Sequence, residues 1–157
     1  MKIQKKNIKA LIEAVKSLKV ADDNLRYDMI DCMIALQEAN EEWQRELKVL
    51  EDFEKEQIGL TDEMMRLSEN IDINHAGENK PLSQEEKEAA IAVRMYKSVF
   101  EKDATKKSEE LVEVDVKFIT LEDFKKLTKG GSLSLEDNAL IKRFLVEKQE
   151  KQDKKAA

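Results

Sequence analysis

The residues best placed to do chemistry stand together in Asp72-Ile73-Asn74-His75-Ala76-Gly77-Glu78. A calcium loop needs oxygen ligands at alternate positions, a turn glycine at the sixth position and a bidentate glutamate at the twelfth. Asp72, Asn74 and Gly77 fit that pattern. Ala76 removes the third ligand, and Ser83 stands where the glutamate is required, so the spacing predicts a polar loop. His75 is the only histidine. Zinc sites combine several His or Cys ligands, which this run does not offer. A general base also needs a nucleophile within reach, and no Ser or Cys stands at a recognisable spacing. The reading is a solvent-exposed loop histidine, with Asp72 and His75 as residues that a partner could touch.

The other candidates reduce to structure. Cys32 sits one helical turn from Met29 and from Leu36 on an apolar stripe, where a buried and inert thiol is expected. Paired carboxylates at Asp22/Asp23, Glu41/Glu42, Glu85/Glu86 and Glu109/Glu110 read as solvated faces, because acid/base pairs need burial that splits their pKa values. Lys129-Gly130-Gly131-Ser132 lacks the spacing of a phosphate loop and reads as a helix break. No catalytic constellation, metal site or cofactor site is expected. Trp43 remains: on a narrow seam it packs against a facing helix near Val93, Tyr96 or Phe100, and if exposed it would anchor a partner.

The elements that must position these residues are helical. Of 157 residues, 39% are charged and only 5% aromatic, with one Pro and four Gly, which argues against an all-β fold. The net charge of −6 opposes a nucleic-acid partner, since phosphate binding needs a positive field. A single Cys cannot form an internal disulfide. No apolar run approaches the ~20 residues of a membrane span, and the basic start is followed by no signal-peptide pattern.

One stretch organises the chain. Leu25, Met29, Cys32, Leu36, Ala39, Trp43, Leu47 and Leu50 recur at steps of three and four, the mark of a long amphipathic helix from Asp22 to Ile58. Such a helix is roughly 55 Å long and needs a neighbour beside it. Its apolar surface is broad up to Leu36 and narrow beyond Ala39, which predicts a multi-helix body first and a hairpin afterwards. Lys2 to Gln4 reads as a short strand and Asn7 as the cap of a first helix, whose Ile8, Leu11, Ile12 and Val15 face a core. Gly59 ends the long helix, Thr61 caps a short one, and Asn70 to Leu82 reads as an irregular tip. Ser83 and Glu86 form a capping box for the return helix, which runs to about Glu109. Val112, Val114, Val116 and Phe118 then alternate with Glu113, Asp115 and Lys117 as a half-buried strand. Its free edge should be shielded by the Leu121 and Leu140 helices or used for strand addition through Val114. Thr120 and Ser134 cap two last helices.

The order of Met1-Lys2-Ile3, Asn7-Ile8, Val112-Glu113-Val114-Asp115-Val116, Ile119-Thr120-Leu121-Glu122-Asp123 and Leu133-Ser134-Leu135-Glu136-Asp137-Asn138-Ala139-Leu140 resembles a loose group of small helical proteins of unknown function encoded by tailed bacteriophages. The likeness spans most of the chain in order and is specific over residues 112–140. The Asn70 to Leu82 segment departs from the shorter hairpin of that group. The resemblance implies a phage or prophage origin and no activity.

The expectation is a mainly α fold in a single domain, 1–157. A long antiparallel, coiled-coil-like hairpin spans 22–110 with its tip at 59–82. A small α+β base with one or two short strands comes from 1–21 and 111–147, and a charged tail frays over 148–157. The expected function is that of a non-enzymatic phage-encoded protein-interaction protein, an assembly factor or minor virion component. The alternative is a small inhibitor or adaptor of a host protein, whose acidic helix surfaces compete for a basic site. The expected partner is protein: another copy, a host protein or a virion protein, met in the bacterial cytoplasm or the virion. Trp43, Val114, Asp72 and His75 are the candidate contact residues.

Overall fold

The computed structural model describes residues 1–77, 80–129, 131 and 133–148. The chain is mainly α and divides into two compact units, residues 1–42 with 109–157 and residues 43–108. The division cuts the longest helix, α2 (Asp23–Ile58), between Glu42 and Trp43. No helix of the described residues is long and apolar enough to cross a membrane.

The first unit contains β1 (Lys2–Gln4), α1 (Lys5–Lys16), the first part of α2, β2 (Leu111–Glu113), α6 (Leu121–Thr128) and α7 (Leu135–Leu145). β1 and β2 pair antiparallel with Ile3 opposite Val112. The Val114 N–H donates to the Met1 carbonyl at 2.8 Å, so the pairing runs one residue past each strand. Ile3, Ile8, Leu11, Cys32, Leu36, Ile141 and Leu145 are essentially sealed from solvent and build the main core with Val114. A smaller cluster joins Leu25 and Met29 to Ile119, Leu127 and Val146. α1 starts at Lys5, so Asn7 lies inside it and is no cap. The physical reason is the preceding strand pair: the Lys5 N–H already donates to the Glu110 carbonyl at 3.1 Å, so that amide needs no capping side chain. Further on, the Asp22 carboxylate accepts the Leu25 N–H at 3.0 Å and caps α2, while Thr120 and Ser134 cap α6 and α7.

The strand after Leu111 is shorter than its alternation implies. Val112, Val114 and Val116 face the core, but Phe118 is 44% exposed and Ile119 is buried instead. The alternation loses phase because Ile119 joins a different partner. It forms a parallel bridge with Val146, donating its N–H to the Leu145 carbonyl and accepting the Glu147 N–H. Val114 and Ile119 thus bond to different segments, the first to Met1 and the second to the chain that follows α7.

The second unit holds the rest of α2 with α3 (Asp62–Glu69), α4 (Ile71–Asn74) and α5 (Gln84–Ser108). Gly59 ends α2 at φ +77°, a conformation that side chains resist, and Leu60 donates back to the Lys55 carbonyl at 2.9 Å. Thr61 caps α3 through the Met64 N–H. Beyond the end of α2, α3 lies against α5, where Ala89 and Ala92 allow close approach, and Leu60, Val93 and Tyr96 form the core there with Met64 and Met65. The tip is less irregular than Asn70 to Leu82 suggested, because α4 occupies part of it. The charged tail expected to fray lies almost wholly at 149–157, outside the described residues.

Trp43 is buried, at 8% exposure, and lies outside the cluster that holds Val93 and Tyr96. The Lys55 ammonium sits 5.4 Å over the Tyr96 ring, and Phe100 stacks on Tyr96. Trp43 stands three turns earlier on α2, roughly 18 Å away along the axis. Trp43→Ala should cost about 3 kcal/mol or more in a urea melt. Val49→Ala, at a position 68% exposed on the same helix, should change stability by less than about 0.5 kcal/mol. Equal costs for the two would contradict the burial of Trp43.

Candidate functional site

The polar centre of the molecule forms where α4 meets the start of α5. Ser83 and Glu86 make the capping box that their spacing implies: the Glu86 N–H donates to Ser83 Oγ and the Ser83 N–H donates to Glu86 Oε1, both at 3.1 Å. The second carboxylate oxygen, Oε2, lies 2.6 Å from His75 Nε2. His75 is thus partly buried rather than solvent-exposed, and Glu86 is buried. One carboxylate holds both the helix end and the loop preceding it. Its pKa lies below the usual glutamate range, first through the Ser83 backbone N–H and then through His75.

This pair lacks the parts of a catalytic site. The Ser83 hydroxyl is engaged with the Glu86 amide, and no nucleophile is hydrogen-bonded to His75 among the described residues. Asp72 lies exposed on α4 and does not join the pair. Among the described residues, no group of three or more His, Cys, Asp or Glu side chains is arranged to hold a metal ion. Cys32 is buried in the core, and desolvation pushes its thiol up to about 11, far from a reactive thiolate.

Two of the four residues singled out from sequence are withdrawn into packing. Trp43 and Val114 are both buried, and the Val114 amide is already used by Met1, so neither presents an exposed anchor or a free strand edge. Apolar residues prefer a core wherever periodicity brings them to one, and both lie on such a stripe.

Other groups had no signal in the sequence. Glu54 is only 7% exposed on the seam side of α2, within hydrogen-bond reach of Asp103 on α5. Sharing that bond, together with desolvation, raises its carboxyl above the usual range. A carboxylate in a charged run reads as solvated until the facing helix is placed. In the first unit, a cleft of about 590 Å³ brings Lys2, Arg143 and Lys148 beside Phe118 and Phe144, with Arg143 5.2 Å over the Phe144 ring. Its cations come from both ends of the chain.

The two carboxyls titrate in opposite senses. For Glu86 the folded value is lowered, so its contribution is complete above the unfolded value of about 4.3 and is lost as pH falls through the folded value. Glu86→Gln should lower Tm at pH 7, and the difference from wild type should shrink at strongly acid pH. For Glu54 the folded value is raised, so its ionised form opposes folding as pH rises through that value. Glu54→Gln should raise Tm at pH 7, with the gain vanishing in acid. Thermal melts across pH check both; shifts of the same sign at pH 7 would contradict the assignment.

Comparisons with protein-family models, with curated proteins and with solved structures find no match for this chain.

Proposed function

We propose that the chain is a non-enzymatic, phage-encoded protein-interaction protein, an assembly factor or minor virion component. The observation that carries the reading is an apolar surface on the first unit. Tyr27, Ile30 and Ile34 are exposed along one side of α2, at 67%, 45% and 48%. Beside them a shallow groove of about 350 Å³ is lined by Val15, Leu18, Val20, Met29, Ile30 and Met33 with Arg26 at its margin. Soluble chains seldom leave grouped apolar side chains in water without a partner for them. The reactive side chains, by contrast, are occupied: Glu86 and His75 hold a helix end and Cys32 is sealed in the core. The net charge of −6 also suits the second reading, an inhibitor or adaptor competing for a basic site on a host protein.

Co-purification from phage-infected cells with mass spectrometry of bound proteins tests the interaction. A specific partner should be retained by wild type and lost, at least about tenfold, with the double substitution Ile30→Asp and Ile34→Asp, a loss of roughly 1.4 kcal/mol or more. Equal retention by the variant would remove the proposed surface. Finding the chain in purified virions favours the virion component; finding it only in cell extracts with a host protein favours the inhibitor.

A further inference from the structure

The cleft of about 590 Å³ in the first unit gathers chemistry that no single stretch of sequence holds. Lys2 comes from β1, Phe118 from the segment between β2 and α6, Arg143 and Phe144 from the last turn of α7, and Glu147 and Lys148 from the chain after it. Backbone bonds fix these pieces. The Met1 carbonyl accepts the Val114 N–H at 2.8 Å and so seats Lys2. Ile119, next to Phe118, donates to the Leu145 carbonyl at 2.8 Å and accepts the Glu147 N–H at 2.9 Å. The walls are therefore set before any ligand arrives. Three cations line this cleft in a chain whose net charge is −6. Lys48, Lys55 and Lys117 each find a carboxylate, but among the described residues Lys2, Arg143 and Lys148 form no ion pair, not even with Glu147 between them. Like charges around one cavity repel, and a bound anion relieves them. The Arg143 guanidinium lies 5.2 Å over the Phe144 ring, which orients it without using its N–H donors.

We propose that this cleft binds a nucleotide, with its phosphates on Lys2, Arg143 and Lys148, its base on the exposed Phe118 ring and its ribose hydroxyls donating to Glu147. Each part of the lining selects against a rival ligand. A single carboxylate is satisfied by one Arg fork, whereas three separate cations match the several negative charges of a phosphate chain. Inorganic phosphate leaves the Phe118 ring in water, while a base of any kind stacks on it. An apolar acid offers no donor to the Glu147 carboxylate, and a ribose offers two. Size agrees as well, since pockets of ~300–1,000 Å³ hold ligands of this kind. A nucleic-acid strand would run on from the cleft across an acidic surface. A mononucleotide ends inside it, and exposed charges beyond about 8 Å are largely screened at physiological salt.

The inference uses none of the residues of the Ile30 and Ile34 surface, so either can fail alone. Isothermal titration calorimetry of the full chain with ATP at low salt should give a Kd of about 100 μM or tighter, weakening as salt is raised. Adenosine and tripolyphosphate should each bind at least about tenfold more weakly, because each lacks part of the contacts. Lys2→Ala and, separately, Arg143→Ala should each weaken ATP at least about fivefold while Tm stays at the wild-type value, because both side chains are exposed. Arg143→Lys should recover only part of the affinity, since lysine keeps the charge and loses the fork. Phe118→Ala should weaken ATP and leave tripolyphosphate unchanged, which a purely electrostatic patch would not do. Absence of saturable heat with ATP, or a folded Arg143→Ala of wild-type affinity, overturns the site. Tripolyphosphate that binds as tightly as ATP overturns the nucleotide assignment.

Discussion

The structure depends on one requirement: an unbroken 36-residue helix, α2, must cover an apolar stripe that it cannot cover itself. Leu25, Met29, Cys32, Leu36, Trp43 and Leu50 are all buried, but by different neighbours. Leu25 and Met29 join Ile119, Leu127 and Val146, while Cys32 and Leu36 join α1, α7 and Val114. Near the end of α2, Ile58 meets the cluster of Leu60, Val93 and Tyr96. Most of the rest of the chain reads as the means of supplying those neighbours. The β1–β2 pair ties the two chain segments of the first unit together, and α5 returns to face the later turns of α2.

The polar chemistry serves the same end. Glu86 could have been a solvated carboxylate like its neighbour Glu85, but its place three residues after Ser83 makes it the cap of α5, and its free oxygen then reaches His75. A group that accepts from a backbone amide and from an imidazole is held in place at the helix end, where the helix dipole also favours its charge. Glu54 shows the opposite balance. It occupies a seam position that an apolar residue would fill better, and it meets another carboxyl there. Such a pair opposes folding once its proton is lost, as pH rises through the raised value.

Two sets of exposed apolar side chains lie on separate units, Tyr27 with Ile30 and Ile34 on one and Val49, Phe53, Ile91, Met95 and Val99 on the other. Each set has helical spacing, so each presents a stripe rather than scattered points, which is the form a partner helix can use.

What the sequence by itself determined is whatever depends on residues within about one turn of each other. Helix ends are of this kind: Asp22, Thr61, Ser83, Thr120 and Ser134 cap where their positions imply, because the donor they satisfy lies two or three residues away. The α2 stripe and the buried face of α1 are also legible, since period alone gathers them. Tertiary structure decided the rest. Phe118 and Ile119 exchange places because Val146, from the far end of the chain, pairs with one of them. His75 leaves solvent because a carboxylate eleven residues on is already oriented by its cap. Val49 and Phe53, as apolar as Leu50, stay in water because α5 covers only the seam beside them. In each case the deciding neighbour is distant in sequence, and burial is a property of the pair rather than of either residue.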